Sequence, residues 1–515
     1  MRFVRKPRRE LAVIERKRGR PSDIKVGILL PIPYRAAASS LFMHMAYAKL
    51  QSLEGVIAYR YVYDLESDVV EALEPDAPAP RDLDVLLVSL PYELDYPYAA
   101  RCLHHGGIEV PLKRDRGRKP VVIGGGIAAF SNPAPLKGVL DAVAIGDAEG
   151  VLEELPYIVA NDGVEGLCEL RKVLVYGVCE ERIEKNATLL PDPVAMARQL
   201  HPLDEEPIYG VGLRLEVSRG CPRLCAFCLE GHVTKPFRYY DLNTLLNVVD
   251  AWVSATPFRR VVLYSLSLLD VPYARQLLEE LARKGIEASV PSLRPDLVDE
   301  EVAEIVRALG QRTLTIAPES LDPEVACRIG KCFDLDELAK VVRKAVALGM
   351  HVKLYLIAGL PGEDDESFVK NVNRFVNSLD PSCRRALRLS INPLIPKPWT
   401  PTQFLGHAYP YVVGAKLRKA LRELRVSADV MDWRWGVIQA FLALGNESCS
   451  SYVVKWGLEG LRPSEARALL KEPRPTLSDR PWEHLVDLGV PPSYLLKRFE
   501  YLASFDPRWR SAGAS

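Results

Sequence analysis

The sequence predicts an α/β protein in which a doubly wound, Rossmann-like parallel sheet precedes a partial TIM-type barrel of six βα units and a helical C-terminal cap. Two series of apolar strands alternate with amphipathic helices, and glycine-rich turns follow several of the strands. This alternation is typical of parallel sheets, because a parallel pair of strands needs a crossover connection between them. The 515 residues are enough for about three domains.

Composition excludes several classes of protein. Lys plus Arg total 67 and Asp plus Glu total 67, so a net charge of 0 gives no chain-wide attraction to nucleic acid or to an anionic membrane. No apolar run reaches the roughly 18 residues of a membrane span, and the basic N-terminus lacks the apolar segment of a secretory signal. We therefore expect a cytoplasmic protein whose ten cysteines stay thiols unless they bind metal.

Residues 25–160 predict the doubly wound sheet. Its last two strands lead into Gly124-Gly125-Gly126 and into Gly146-Asp147-Ala148-Glu149. In open α/β sheets ligands bind beyond the carboxyl ends of the strands, so these turns are candidate ligand contacts. The predicted strands lie near residues 26–30, 57–63, 84–89, 120–123 and 142–145.

Residues 1–24 predict a basic arm, expected as a solvated tail or, alternatively, as a segment that contacts phosphate or RNA. Residues 161–208 predict a proline-rich connector, residues 209–405 the barrel, and residues 406–515 a helical domain. Parallel barrels carry their chemistry on the loops that follow their strands. The six barrel strands are predicted at residues 212–217, 260–266, 287–290, 312–316, 352–357 and 387–391.

Three of the ten cysteines crowd into the loop after the first barrel strand. Cys221, Cys225 and Cys228 have C-x3-C-x2-C spacing. Thiolates are the soft ligands of iron–sulfur clusters, and three on one loop can hold three irons of a cubane while the fourth iron stays open. Two alternatives are a zinc site with His232 as fourth ligand and a chance spacing of structural thiols. Closed zinc sites, however, usually combine two separated ligand pairs.

This loop resembles the signature of the radical S-adenosylmethionine (SAM) superfamily, including an aromatic residue, Phe227, just before the last cysteine. The resemblance implies a 4Fe-4S cluster whose open iron chelates SAM. It further implies that one electron, from a donor of the flavodoxin or ferredoxin type, splits SAM into methionine and a 5′-deoxyadenosyl radical that abstracts hydrogen. In such chemistry the protein positions the cofactor and excludes water and oxygen.

The resemblance also implies SAM contacts at the ends of the next four barrel strands. The second strand lacks the Gly-Gly-Glu-like stretch that the superfamily often has there. An arginine can grip a carboxylate with two hydrogen bonds, and glycines let the backbone approach a ligand closely. Each position has an alternative interpretation as an ordinary turn or helix start, and no catalytic residue is assigned. The candidates are Ser265, Ser267, Ser292, Arg294, Thr315, Glu319, Gly359 and Gly362.

A proline-rich loop follows the sixth strand and resembles a stretch in methylthiotransferase-like and cobalamin-domain branches of the superfamily. Its prolines are expected to stiffen it, either to fix Lys397 and Trp399 at the barrel mouth or to form a lid without substrate contact. From about residue 25 to 500 the chain resembles a branch with an N-terminal cobalamin-binding-like domain. The usual Asp-x-His-x-x-Gly motif is absent between Pro31 and Ser40. The first domain thus either binds cobalamin without a protein imidazole on cobalt or serves as a substrate platform.

Three functions follow from these patterns. The first is a radical SAM enzyme that modifies an unactivated carbon of an unknown substrate, by hydrogen abstraction or by methyl transfer through cobalamin. The second is methylthiotransferase-like sulfur insertion on tRNA or protein, which usually needs a second cluster, although the other seven cysteines are scattered. The third is an iron–sulfur scaffold or RNA-binding protein. Its basic helical run, otherwise a solvated face, comprises Arg418, Lys419, Arg422 and Arg425.

The balance of residue types also bears on the source of the protein. Asn and Gln are sparse, whereas Arg, Glu and Pro are frequent. This composition is typical of a thermophilic source.

Overall fold

The computed structural model describes residues 2–14, 16–112, 119–179, 181–188, 190, 192–472 and 480–513. Its strands are β1 (Phe3–Arg5), β2 (Glu10–Ala12), β3 (Ile24–Leu30), β4 (Val56–Asp64), β5 (Val69–Ala72), β6 (Val85–Ser89), β7 (Val121–Gly125), β8 (Ala142–Ala144), β9 (Val173–Val175), β10 (Ile183–Glu184), β11 (Leu200–Pro202), β12 (Leu213–Glu216), β13 (Ser218–Arg219), β14 (Arg238–Tyr239), β15 (Arg260–Tyr264), β16 (Glu287–Ser289), β17 (Thr313–Glu319), β18 (His351–Ala358), β19 (Leu387–Pro393), β20 (Ser427–Val430) and β21 (Val486–Asp487).

The helices alternate with these strands through most of the chain. They are α1 (Tyr34–Ala37), α2 (Leu41–Ser52), α3 (Tyr96–His105), α4 (Ile127–Ser131), α5 (Leu155–Asp162), α6 (Pro193–Ala197), α7 (Leu229–Val233), α8 (Leu242–Ala255), α9 (Ala274–Arg283), α10 (Glu300–Ala308), α11 (Pro323–Arg328), α12 (Leu335–Ala347), α13 (Asp365–Asn377), α14 (Pro381–Ala386), α15 (Tyr409–Ala420), α16 (Trp433–Leu444), α17 (Cys449–Glu459), α18 (Ala466–Leu469), α19 (Pro481–Leu485), α20 (Pro492–Ala503) and α21 (Pro507–Gly513). Within the described residues, no helix combines the length and apolarity that crossing a bilayer would require.

The N-terminal half is built on one eight-stranded sheet with the order β1-β5-β4-β3-β6-β7-β8-β9. The strands β4, β3, β6, β7 and β8 run parallel. The strand β5 is antiparallel to β4 and parallel to β1, and β9 is antiparallel to β8. The chain winds outward in both directions from β3 and β6, so the switch point lies between these two strands. In open α/β sheets a ligand crevice forms at such a switch point, beyond the carboxyl ends of the strands.

The basic N-terminal segment is not a solvated tail, and that expectation is corrected. The strand β1 joins the sheet edge beside β5, and β2 pairs with β11. Lys6 and Arg8 both form ion pairs with Glu71, and Glu10 pairs with the fully buried Arg60 at 2.7 Å. These contacts tie the segment to the sheet, while several of its other basic residues stay exposed.

The second half contains the barrel. The strands β12, β15 and β16 form one parallel sheet and β17 to β20 another, and a bridge between Leu293 and Ile316 connects the two. The β/α alternation and the parallel strands confirm the predicted fold class. The short strands β13, β14 and β21 were not predicted. Nor was β20, which adds a further parallel strand beside β19 where the sequence was expected to be helical.

Aspartates set the starts of the main barrel helices. Asp241, Asp299, Asp334 and Asp364 stand directly before α8, α10, α12 and α13, and each side chain accepts a backbone N–H of the first turn. This is the N-cap geometry that satisfies otherwise unpaired helix amides. Apolar side chains recur on one face of each helix and pack against the strands. These local signals set where the barrel helices begin.

The C-terminal helices contact both halves of the molecule. Asn132, after α4, donates to the carbonyl groups of Ala443 and Gly445 at 3.0 and 2.8 Å. Arg101 on α3 donates to the carbonyl group of Gly457 on α17 at 2.8 Å. The segment predicted as a helical domain is thus helical, and its helices α16 and α17 complete the surface of the N-terminal sheet layer.

Four cysteines expected as free thiols are paired. Disulfides join Cys168 to Cys179 and Cys327 to Cys332, so the expectation of scattered thiols is wrong for these four. The partners of each pair are close in sequence, and the local turns bring their Cα atoms to 5.9 and 4.1 Å. Cys102, Cys383 and Cys449 are free and buried, as expected.

Candidate active site

The three clustered cysteines lie on the loop between β13 and α7. Cys221 is 9% exposed, Cys225 is 5% exposed, and Cys228 is partly buried. Backbone N–H groups donate to two of the sulfurs, from Arg223 to Cys221 and from Gly231 to Cys228, both at 3.4 Å. Burial raises the pKa of the Cys221 and Cys228 thiols. Amide donors around partly buried sulfurs are the setting in which proteins hold iron–sulfur clusters.

The geometry fits a cubane better than a zinc ion. In the described part of the chain, no three His, Cys, Asp or Glu side chains converge on a point where one ion would reach them all. His232 uses its Nδ1 to donate to the carbonyl oxygen of Cys228 at 2.8 Å, which leaves Nε2 as its one nitrogen without a hydrogen bond. Zinc needs four ligands at about 2.0–2.3 Å from one centre, whereas a cubane spreads its ligands over separate corners.

Arg294 reaches the cluster loop. Its side chain is 8% exposed, and Nη1 donates to the sulfur of Cys225 at 3.3 Å. Two further nitrogens form a fork on Asp296, at 2.9 and 3.1 Å, and Nη2 also donates to the carbonyl group of Gly330 at 3.1 Å. The assignment of Arg294 to the carboxylate of SAM stays a prediction.

Side chains at and after the end of the second barrel strand, β15, form an ion pair and a hydrogen bond with the cluster region. Arg223 pairs with Asp270 at 2.6 Å, and the hydroxyl group of Ser267 donates to the same carboxylate at 2.7 Å. The hydroxyl groups of Ser265 and Ser218 are hydrogen-bonded at 2.6 Å. The sequence indicated both serines here but missed Asp270, whose partner Arg223 is 47 positions away. Its one local signal was its position three residues after Ser267.

The fourth-strand candidates have different surroundings. Glu319 is 8% exposed, has a positive φ of 65° and pairs with Lys331 at 2.7 Å. Lys331 Nζ also lies 5.7 Å from the centre of the Phe227 ring on the cluster loop. Thr315 is half-buried within β17, and Ser292 of the preceding loop is exposed. Glu319 is thus held near the cluster loop through Lys331.

The glycine turn after the fifth strand is covered by protein. Gly359 has φ 93°, its carbonyl group accepts from the hydroxyl group of Tyr409 at 2.8 Å, and an added Cβ would lie 2.4 Å from Val413. Gly362 has φ 87°, and its N–H donates to Asp506 at 3.1 Å. In this structure the two glycines therefore permit close packing of the C-terminal helices, and their assignment to SAM stays a prediction.

The proline-rich loop after the sixth strand docks on the N-terminal half. Lys397 forms an ion pair with the buried Glu93 at 2.5 Å, and Gln439 donates to the same carboxylate at 2.9 Å. Trp399 is fully buried, and its indole N–H donates to the carbonyl group of Ser131 at 2.8 Å. Both side chains that the sequence singled out are used to join the barrel mouth to the sheet.

One carboxyl group beside this contact was not singled out by the sequence. Burial, and then the charge of Glu93, raise the pKa of Asp95 to about 7. A group with such a shift is a candidate for binding or proton transfer. Glu230, two residues after Cys228, is exposed.

A cavity of about 660 Å³ opens at the carboxyl edge of the N-terminal sheet. Both glycine turns predicted as ligand contacts line it, Gly124–Gly126 after β7 and Gly146–Glu149 after β8. Apolar side chains of α2, including Leu41 and Phe42, form the opposite wall, and the set of described lining residues contains no histidine. The first barrel strands contribute Glu216 and Arg219, so the cavity lies where the two halves meet.

Two family models match the chain in consecutive regions. The radical SAM superfamily model matches residues 215–375, and the model of N-terminal regions of radical SAM proteins matches residues 63–174. An uncharacterized protein of Methanocaldococcus jannaschii is 27% identical over 433 residues, which are 83% of this chain and 90% of the relative. The bacteriochlorophyllide d C-12(1)-methyltransferase of Chlorobaculum tepidum is 26% identical over 159 residues, 29% of this chain and 34% of that enzyme.

Solved structures show the same fold at low sequence identity. The radical SAM methyltransferase TsrM of Kitasatospora setae, with tryptophan substrate and a SAM analogue bound, is 14% identical, with a TM-score of 0.54 over 95% of this chain and 99% of TsrM. A second TsrM structure, with cobalamin and a 4Fe-4S cluster bound, gives 0.52 over 87% of this chain and 98% of TsrM. The family models show that residues 215–375 carry a radical SAM domain, as the cysteine loop predicted, and that the chain is a radical SAM enzyme, a family that implies a 4Fe-4S cluster and SAM.

Proposed function

We propose that this enzyme is a cobalamin-dependent radical SAM methyltransferase that methylates an unactivated carbon. The observation that carries the proposal is the cavity of about 660 Å³ at the carboxyl edge of the N-terminal sheet, lined by two glycine turns and adjoining the first barrel strands. TsrM has this fold and holds cobalamin and a 4Fe-4S cluster in its own structure. A bound cobalamin would supply a methyl carrier between SAM and the substrate.

The cavity lining suits this ligand. The apolar residues of α2 offer a surface for the corrin ring, and the glycine turns expose backbone N–H groups, which are favourable partners for the phosphate of a nucleotide tail. Because no histidine is found among the described lining residues, this mode of binding places no protein imidazole on cobalt. That agrees with the missing Asp-x-His-x-x-Gly motif.

The chain's own residues perform the holding and positioning. Cys221, Cys225 and Cys228 hold the cluster, with Arg294 beside them. The contact between Lys397 and Glu93 closes one side of the space between the two halves against water. The proposed SAM contacts, all at strand ends around this loop, are Ser265, Ser267, Ser292, Arg294, Thr315, Glu319, Gly359 and Gly362.

The other functions gain no support from the described residues. Sulfur insertion usually needs a second cluster, yet four of the remaining cysteines are paired in disulfides. Contact between RNA and the basic run on and after α15 stays a prediction. Arg418, its first residue, has a side chain 64% exposed and an ion pair with Asp432 at 3.7 Å.

The cavity can be filled at one position without distorting the sheet. Gly125 ends β7, lines the cavity and has an ordinary φ, and an added Cβ would meet no atom within 4 Å. We expect Gly125→Leu to occupy cavity space and to lower the affinity for hydroxocobalamin by about 100-fold, because an inserted side chain and the ligand cannot share one volume. The matched variant Gly125→Ala should bind within about threefold of the wild-type affinity.

The measurement is the absorbance of hydroxocobalamin retained after anaerobic reconstitution and gel filtration. Iron content and SAM cleavage are measured on the same samples, since the cluster should be unaffected in both variants. If the unaltered enzyme retains no cobalamin, or if Gly125→Leu retains as much, the methyl-transfer proposal is wrong. The enzyme would then act through hydrogen abstraction alone.

A further inference from the structure

An ionic bridge joins the wall of the cavity to the loop that carries the cluster cysteines. Arg219, on β13, donates two hydrogen bonds to the carboxylate of Glu149 at 2.8 and 3.0 Å. It donates two more to Glu216, at 2.8 and 2.9 Å, and lies 3.4 Å from a carboxylate oxygen of Asp147. Glu149 and Asp147 belong to the glycine turn after β8. One guanidinium group thus holds carboxylates from both halves of the protein.

The carboxylates and the guanidinium are largely shielded from solvent. The side chain of Arg219 is 18% exposed, and those of Glu216 and Glu149 are 9% and 26% exposed. Although burial raises the pKa of Glu149, the hydrogen bonds and charge of Arg219 lower it by more, so the carboxylate stays ionised. Charged hydrogen bonds in such a setting are short and directional, which suits a fixed geometry rather than a loose attraction.

The turn itself is clamped on its other side. Arg238 of β14 donates to Asp147 at 3.1 Å and to the carbonyl group of Thr188 at 2.8 Å. Asn186 packs so closely that a Cβ on Gly146 would lie 2.1 Å from its carbonyl oxygen. The turn therefore has little room to move without moving Arg219 and Arg238.

Arg219 is also close in sequence to the first cluster cysteine. Gly220 alone separates Arg219 from Cys221, and it has a positive φ of 80°. An added Cβ on Gly220 would lie 2.6 Å from the carbonyl oxygens of Thr234 and Pro236. A displacement of Arg219 must therefore be passed to Cys221, because the residue between them has no free space.

We propose that Arg219 is a positioning residue that couples the cavity turn to the cluster loop, so that SAM binding at the cluster orders the turn at the cavity wall. The proposal rests on the proposed function for its purpose. Methyl transfer needs the cavity ligand and SAM at a fixed separation, and a misplacement of about 1 Å can cost about 100-fold in rate. The coupling itself, however, involves only residues of this chain and exists without cobalamin.

The planar fork of arginine is essential to this role. A lysine at position 219 would keep the positive charge but would offer one nitrogen to carboxylates that now receive four hydrogen bonds. Arg219→Lys therefore keeps the positive charge but removes the geometry that holds the carboxylates in place. Glu149→Gln breaks the same bridge from the cavity side and leaves the sequence of the cluster loop intact.

The test is hydrogen exchange of the peptide that contains residues 145–150, measured on cluster-loaded enzyme with and without SAM and in the absence of cobalamin. In the wild-type enzyme SAM should slow exchange of this peptide by about tenfold, because ordering of the cluster loop is passed to the turn. In Arg219→Lys and Glu149→Gln the SAM-dependent slowing should fall below about twofold. A residue with a merely structural role would change exchange with or without SAM and would leave this difference intact.

Arg275→Gln is the matched control. Arg275 pairs with Asp299 at 2.6 Å on the barrel surface and has no part in the cavity or the cluster loop, so its variant should behave as wild type. Iron content verifies that each variant carries its cluster; if Arg219→Lys fails to load, Glu149→Gln decides the result. Slowing that persists in a loaded bridge variant, or its absence in the wild type, overturns the proposal. Retention of hydroxocobalamin by the wild type tests the proposed function separately.

Discussion

Gly125 in the N-terminal sheet and Gly359 in the barrel have the same setting in sequence and opposite surroundings in the structure. Each follows an apolar strand, and each was expected to approach a ligand. At Gly125 an added Cβ would meet nothing within 4 Å, whereas at Gly359 it would lie 2.4 Å from Val413. The N-terminal turns line a cavity, and the barrel turn is covered by C-terminal helices. A glycine after a strand thus indicates that something can lie close to the backbone there. The sequence does not show whether other protein atoms or a cavity occupy that space; the folded structure does.

The largest effect is expected from removing a cluster ligand, which should abolish SAM cleavage in the barrel and leave the cavity of the N-terminal sheet unaffected. Cys225→Ala removes a cluster ligand from the barrel, so formation of 5′-deoxyadenosine from SAM should fall to the level of a sample without protein, with iron content reduced in parallel. The cavity of the N-terminal sheet does not include Cys225, so retention of hydroxocobalamin should be unchanged.

Cys383→Ala serves as the control for this substitution. Cys383 is a buried free thiol on α14, and its removal should leave iron content and SAM cleavage intact. Deoxyadenosine formation that survived in Cys225→Ala would contradict the cluster assignment.

The second prediction concerns the carboxyl group of Glu363, which follows Gly362 in the turn after β18. Glu363 is 1% exposed; burial raises its pKa to about 7, although hydrogen bonds from Asn371 and Ser320 lower it in part. The folded state therefore binds a proton more tightly than the unfolded state, whose pKa is near 4.5. The tighter proton binding adds about 3 kcal/mol to the free energy of unfolding. This contribution is present in full below about pH 4.5 and is lost as the pH rises through about 7.

Urea unfolding of wild type and Glu363→Gln between pH 4.5 and 8 measures this contribution. The amide resembles the protonated carboxyl group and does not titrate, so the stability difference between the two proteins should change with pH in the stated direction. Parallel pH profiles would show that Glu363 titrates in the folded protein as it does when unfolded.

The smallest effect tests the glycine comparison directly. Gly359→Ala combines a strained φ of 93° with the contact at 2.4 Å to Val413, so it should lower the free energy of unfolding by about 2 kcal/mol. Gly125→Ala has neither problem and should change it by less than about 0.5 kcal/mol. Thermal unfolding of both variants would check the ranking, and equal destabilisation would show that the cavity wall is packed in solution.

Local signals made the barrel and the cluster predictable. The cysteine loop is a motif within eight residues, and the barrel helices begin at aspartate caps next to apolar repeats. Both depend on neighbours in sequence. The same holds for the strand ends, where polar residues follow apolar runs.

Long-range pairing could not be read in the same way. The basic N-terminal segment looked solvated because its partners, Glu71 for Lys6 and Arg60 for Glu10, lie 65 and 50 positions away. Asp270 escaped attention for the same reason, since its partner Arg223 lies 47 positions away. The sequence shows the charges, and only the folded chain shows which of them meet.

The closure of α16 and α17 over the N-terminal sheet has a consequence for synthesis. The last strand of that sheet ends at Val175, and Ala443, which Asn132 binds, follows 443 − 175 = 268 residues later. At about 5–20 residues per second, a ribosome needs roughly 15–50 s for this interval. During that time the face around Asn132 is uncovered while the rest of the sheet can already fold. Chaperones therefore have a defined period in which to protect it, and a chain that stops before residue 443 keeps this face permanently open.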